Sequence, residues 1–174
     1  MDDSYYFSSA CITLFPFLNS YPRSPTVSSV VELAINNNEF VGAWRLVSVE
    51  TRQEDGSLYR RGERVGYLVY SAGGYMSVAF MKKGRPVFTS GDIRGGTVEE
   101  KVAAFDGYVS YSGRYEVKGD KVVHRIEVSL FPNWVDEAQE RLYELEGDNL
   151  TLSTPLQLVG GRQLSTHLIW ERAG

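Results

Sequence analysis

The chain reads as an all-β protein, an up-and-down antiparallel barrel of about eight strands with one short helix. Three observations predict this. From Phe40 onward the apolar residues recur with a period near two. The periodic runs are separated by short Gly- and Asp-containing turn signals. Only one segment replaces that period with a helical one.

The elements follow in order. GAWRLVSVETR (42–52) is a first strand, and EDGS (54–57) a turn with the Asp-Gly signal. RVGYLVYS (64–71) is a second, turned by AGG (72–74) into GYMSVAFM (74–81). KKGRP (82–86) is a loop. TVEEKVAAFDGY (97–108) carries the helix, near 97–106. Thr97 and Glu100 have capping-box spacing, and Val98, Val102 and Phe105 share one helical face. YVSYSGRYEV (108–117), the turn KGD (118–120) and KVVHRIEVSLF (121–131) resume the β pattern. After the loop PNWVDEA (132–138), QERLYELE (139–146) and NLTLST (149–154) flank Gly147-Asp148, and RQLSTHLIWER (162–172) follows Gly160-Gly161. Sequential antiparallel strands make a meander, whose exposed edges vanish if the sheet closes. An open sheet with the helix packed on it is the competing geometry.

The 174 residues suffice for one domain with a core; 43% hydrophobic and 23% charged is ordinary globular composition. Net charge is −4 and no Lys/Arg run appears, which speaks against nucleic acid as a partner. One cysteine, Cys11, excludes an internal disulfide and a cysteine zinc site, and His124 and His167 are too few for an all-histidine metal site. No cofactor is expected: there is no Gly-rich phosphate loop opening a helix and no Gly-x-Ser-x-Gly elbow. A thiol-poor chain fits a reducing compartment, so a cytoplasmic location is expected.

Residues 1–37 read as an N-terminal extension outside the main fold and mostly disordered, and 38–174 as the barrel domain. The apolar run Ala10–Leu18 is broken by Thr13 and Pro16, and the chain opens with two acids. It is therefore a poor signal peptide, the competing reading, and too short to span a bilayer. VSSVVELAINN (27–37) has the pattern of a short helix beside the domain.

Beyond period and turns, GAWRLVSVE, VGYLVYSAGGYMSVAFM, AAFDGYVSYSGRYEV, VVHRIEVSLFPNW and LTLST occur in order, and on them the chain resembles the lipocalin-like domain family of small bacterial and fungal proteins across residues 40 to 172. Gly42-x-Trp44 also resembles the Gly-x-Trp element near the start of true lipocalins. The resemblance implies a β-barrel with an internal cavity. Some relatives with such barrels bind hydrophobic small molecules; others act as cyclases or isomerases of secondary metabolism. Fold does not choose between them.

Alternation assigns the faces. Strand 121–131 turns Val122, His124, Ile126, Val128 and Leu130 inward, an apolar stripe holding one imidazole. Strand 139–146 turns in Gln139, Arg141, Tyr143 and Leu145, and strand 108–117 turns in Tyr111, Gly113, Tyr115 and Val117. The last strand turns in Leu164, Thr166, Leu168 and Trp170 and leaves His167 outside. Arg45 prefers water, so Trp44, Leu46 and Ser48 are assigned inward, which would also carry Glu50 in. Tyr67, Met76, Val78 and Phe80 are assigned to the cavity.

The candidate ligand-binding set is thus Trp44, Tyr67, Met76, Phe80, Tyr111, Tyr115, His124, Ile126, Arg141, Tyr143 and Trp170. An apolar cavity with a few converging polar groups suits a small lipophilic ligand. His124 and Arg141 are also the candidate catalytic pair of a cofactor-free isomerase or cyclase. Arg141 would depress the imidazole's pKa and leave it free as a base, and would stabilise an oxyanion. The structural alternatives are a core His124 bonded to a tyrosine hydroxyl or a backbone group, an Arg141 paired with Glu50 or reaching a barrel mouth, a Trp44 that closes the barrel bottom, a Trp134 that packs over an end of the barrel, and a barrel filled by its own side chains. A carrier for a lipophilic molecule is the first expectation, the isomerase or cyclase the second. Oligomeric state is not legible.

Overall fold

In a computed structural model that describes residues 39–174, the strands are β1 (Gly42–Gln53), β2 (Leu58–Gly62), β3 (Arg64–Tyr70), β4 (Tyr75–Lys82), β5 (Tyr108–Lys118), β6 (Lys121–Ser129), β7 (Ala138–Glu146), β8 (Asn149–Ser153), β9 (Gln157–Val159) and β10 (Arg162–Arg172). A helix, α1 (Val98–Asp106), stands between β4 and β5, and a 3-10 turn spans Pro132–Trp134. The readings made for residues 1–37, including Cys11 and the helix at 27–37, lie outside the described residues.

All pairings are antiparallel in the order β1-β3-β4-β5-β6-β7-β8-β10, and β10 returns to pair with β1 from Trp44↔Arg172 to Gln53↔Leu164. The sheet is therefore closed, and every strand of the eight has two neighbours. The eight are those legible in the sequence. Two short strands were not: β2 continues the β3 ladder along the second half of β1, and β9 pairs with the start of β10. Asp55-Gly56 forms the expected turn, with Gly56 at φ 80° and the Ser57 amide donating to the Asp55 carboxylate. Thr97 caps α1 in a full capping box with Glu100, but no residue of that helix is buried. The helix lies outside the core because its apolar face, Val98, Val102 and Phe105, is exposed.

One end of the barrel is sealed by aromatic packing. Phe40 meets Tyr143 edge-on at 4.8 Å and Tyr70 at 5.4 Å. Trp44 is fully buried there and donates its indole N–H to the Phe40 carbonyl at 2.9 Å. Arg172 lies 4.2 Å over the Trp44 ring and donates to the carbonyls of Val41 and Glu39, which ties the chain entering β1 across the sealed end.

Two irregularities reverse expected faces. A register shift between Leu46 and Ser48 leaves Val47 bulged, so that Trp44 and Leu46 point in but Val49 and Thr51 succeed them. Ser48 does not continue the inner row, and Glu50 falls on the outer face. A second shift between Ser112 and Gly113 releases Glu127 from the β5–β6 ladder; Ile126 stays buried and Val128 is turned out. Gly113 permits this, because a Cβ there would lie 1.9 Å from the Arg125 carbonyl oxygen.

Candidate functional site

Above the sealed end the barrel opens into a cavity of about 800 Å³. Leu68, Val78, Phe80, Val109, Leu152, Leu168 and Trp170 supply apolar wall; Tyr111, His124, Gln139 and Arg141 add polar groups. The volume lies in the range of small-molecule sites. The space leaves the filled-barrel alternative behind.

His124 sits 1% exposed where the core meets the cavity. Its Nε2 is 2.7 Å from the Tyr70 hydroxyl and its Nδ1 is 3.0 Å from the Tyr111 hydroxyl. Burial, and then the charge of Arg141, lower its pKa from 6.5 to about 3, so the ring is neutral. Burial raises the Tyr70 and Tyr111 hydroxyls, with Arg141 acting in the opposite sense on both. A neutral imidazole donates through one nitrogen and accepts through the other. Among the described residues Tyr70 has no hydroxyl partner except His124, so it satisfies its proton by donating to Nε2. Nδ1–H then donates to the Tyr111 oxygen, and the Tyr111 O–H remains for a group in the cavity it lines.

Arg141 depresses the imidazole's pKa as expected, but the ring is not free as a base. Desolvation is the larger cause, and both ring nitrogens are engaged. His124 cannot take a proton from a bound molecule without losing the Tyr70 bond. The imidazole that interrupts an apolar stripe is a bridge holding two tyrosines in place.

Arg141 lines the cavity from β7 and is held by neutral acceptors, the Gln139 amide oxygen at 3.3 Å and the Glu140 carbonyl at 2.8 Å. It makes no ion pair with a carboxylate among the described residues. Glu50, offered above as its partner, is 2% exposed on the outer face, paired with Arg52 at 2.5 Å and Arg61 at 2.6 Å. His167 stands beside it in register on that outer face, bonded to Ser165 at 2.9 Å.

Of the ligand-binding set, Phe80, Tyr111, His124, Arg141 and Trp170 are brought together on the cavity wall. Trp44, Met76, Tyr115 and Ile126 are buried in the core beneath it, and Tyr143 packs at the sealed end. Tyr67 is a correction: it is 57% exposed on the outer face, and its neighbours Leu68 and Tyr70 point inward. Alternation predicted the period of that strand but not its phase. Trp134, expected over an end of the barrel, lines the cavity edge-on to Tyr111 at 5.7 Å. Sequence reading missed Val49 and Thr51, displaced inward by the bulge. It also missed the basic residues of the open end, because no pattern in Arg60, Arg64, Lys82 and Lys83 reveals that their strands converge there. No group of three metal-ligating side chains occurs among the described residues. Among them, no helix is long and apolar enough to cross a membrane.

With the geometry in place, comparison with known proteins agrees with it. The lipocalin-like domain family matches residues 41–173. A relative from Aspergillus oryzae, a 4'-hydroxy-3'-methoxypropiophenone carrier protein, is 36% identical over 107 residues, covering 56% of this chain and 96% of the relative.

Proposed function

The chain belongs to the lipocalin-like domain family, and from that membership and its internal cavity, open at one end, we propose that it is a carrier of a small lipophilic molecule. The observation that carries this reading is a cavity of about 800 Å³ whose wall combines apolar side chains with a few fixed donors. Carriage needs burial and reversible hydrogen bonds, and both are supplied. The relative's name says that it carries 4'-hydroxy-3'-methoxypropiophenone. An aromatic ketone of that size and polarity is the ligand class we assign to this cavity: a flat ring for the Phe80 and Trp170 walls and oxygens for Tyr111 and Arg141.

The isomerase or cyclase reading has no support in the geometry, because the only histidine in the cavity is depressed to about 3 and bonded at both nitrogens. Titration calorimetry of the full chain with 4'-hydroxy-3'-methoxypropiophenone tests the proposal. We expect one molecule bound per chain, recovered chemically unchanged by liquid chromatography. Val109→Trp, which places an indole in the cavity, should abolish binding while the fold survives. Recovery of an altered compound, or equal binding by the filled variant, would overturn it.

A further inference from the structure

The charges around the cavity are one-sided. Arg60, Arg64, Lys82, Lys83 and Arg141 line it, against a single carboxylate, Glu63. None of these five cations makes an ion pair among the described residues, although ion pairs decorate the rest of the barrel surface, Arg45–Glu171 and Lys121–Glu140 among them. In a chain of net charge −4, basic residues gathered around one opening produce a local positive field. Two are held inside it. Arg141 has only neutral acceptors, and Arg64, stacked over Phe80 at 5.6 Å, has a buried Nη1 without a partner. The Tyr111 O–H, left over by the His124 bridge, and the buried Trp170 N–H, which has no acceptor, add two further donors. A partly buried cation without a counter-charge carries a desolvation cost, which a bound anion offsets.

We propose that the cavity selects its ligand as an oxyanion, an ionised phenol or enol on a lipophilic aromatic body, with Arg141 as counter-cation and the Tyr111 hydroxyl as second donor. This rests on the carrier reading and deepens it. Arg60, Arg64, Lys82 and Lys83 draw the anion toward the opening. Arg141, partly buried on the cavity wall, holds it there by a charge-assisted hydrogen bond. A phenol conjugated to a carbonyl is the fitting acid, since its anion is delocalised and therefore inexpensive to desolvate. The neutral His124 adds no competing positive charge but fixes the orientation of Tyr111.

The test is a spectrophotometric titration of 4'-hydroxy-3'-methoxypropiophenone with the full chain, since its phenolate absorbs at longer wavelength than the phenol. We expect the bound probe to ionise at least about one pH unit below the free probe, a tenfold change in its acid constant. Its methyl ether, which cannot ionise, should bind about tenfold more weakly at a pH where the phenolate forms. In Arg141→Gln the displacement should vanish and the two compounds should bind alike. Raised salt should weaken the phenol more than the ether. A bound probe that ionises at or above the pH of the free one, or an ether that binds as tightly as the phenol, overturns the oxyanion site while leaving a carrier of neutral molecules. Failure of both compounds to bind at any pH overturns the carrier reading and this one with it.

Discussion

The Tyr70 hydroxyl lies 2.7 Å from Nε2 of His124, a residue 54 positions away, and Tyr111 closes the bridge at Nδ1. Burial, and then the charge of Arg141, keep this bridging imidazole neutral far below the pH at which a free one charges.

Stability should fall on mild acidification because of it. The folded-state pKa of His124 is about 3 against an ordinary 6.5, so the unfolded chain binds the proton first. The contribution is fully present above the ordinary value and is lost as pH falls between the two. The slope is about 1.4 kcal/mol per pH unit. Urea denaturation across this window should show a pH dependence shallower by that slope in His124→Phe. At neutral pH the variant itself should lose about 2 kcal/mol, since two buried hydroxyls lose their partner. Parallel pH profiles for the two proteins would show that the ring already titrates normally in the fold.

Glu50 titrates in the opposite sense. Burial pushes its carboxyl up, but the bonds and charges of Arg61 and Arg52 outweigh that and hold it below the usual range. Its contribution is present above the ordinary carboxylate pKa and is lost as pH falls through the folded value. Both arginines are partly solvated, so Glu50→Gln should cost only about 1–2 kcal/mol at neutral pH. Ligand affinity should not change, because Glu50 is on the outer face. Calorimetric affinity that falls together with stability would place this cluster in the ligand's path.

Arg172 ties the sealed end by stacking on Trp44 and bonding to Val41 and Glu39. Arg172→Ala should lose about 2–3 kcal/mol, seen as a thermal midpoint lower by about 5–10 °C. Arg172→Lys should restore little of it, because an ammonium can neither stack flat nor reach several acceptors as a fork. Full recovery by lysine would mean that charge alone matters there.

Gly113 is the hinge of the second bulge. Gly113→Ala places a methyl within 1.9 Å of the Arg125 carbonyl oxygen, which the sheet cannot absorb without breaking the β5–β6 pairing. We expect a loss of about 3 kcal/mol in denaturant unfolding. Because Tyr111 and His124 are carried on those two strands, ligand affinity should fall as well. An alanine variant with native stability would show that the bulge is not fixed by this contact.

The sequence by itself determined the elements. A period of two, punctuated by Gly and Asp turns, is a local property, and it specified eight strands, the capped helix and the inward sets of β7 and β10. It also marked His124 as unusual and Arg141 as a cation on an inner face. Only the tertiary structure decided how those faces meet. Alternation carries a phase that one bulged residue reverses, and the bulges beside Val47 and Gly113 arise from pairing with strands that lie elsewhere in the chain. That is why Val49 replaced Ser48 and Glu50 left the interior, while Tyr67 faces outward because the period of β3 did not fix its phase. The bridge at His124 likewise needed β3, β5 and β6 side by side, and the unpaired charge of Arg141 became visible only when Glu50 was found committed to Arg52 and Arg61. Periodicity is written residue by residue, whereas register, cavity and charge pairing depend on which distant strands the closed sheet makes neighbours.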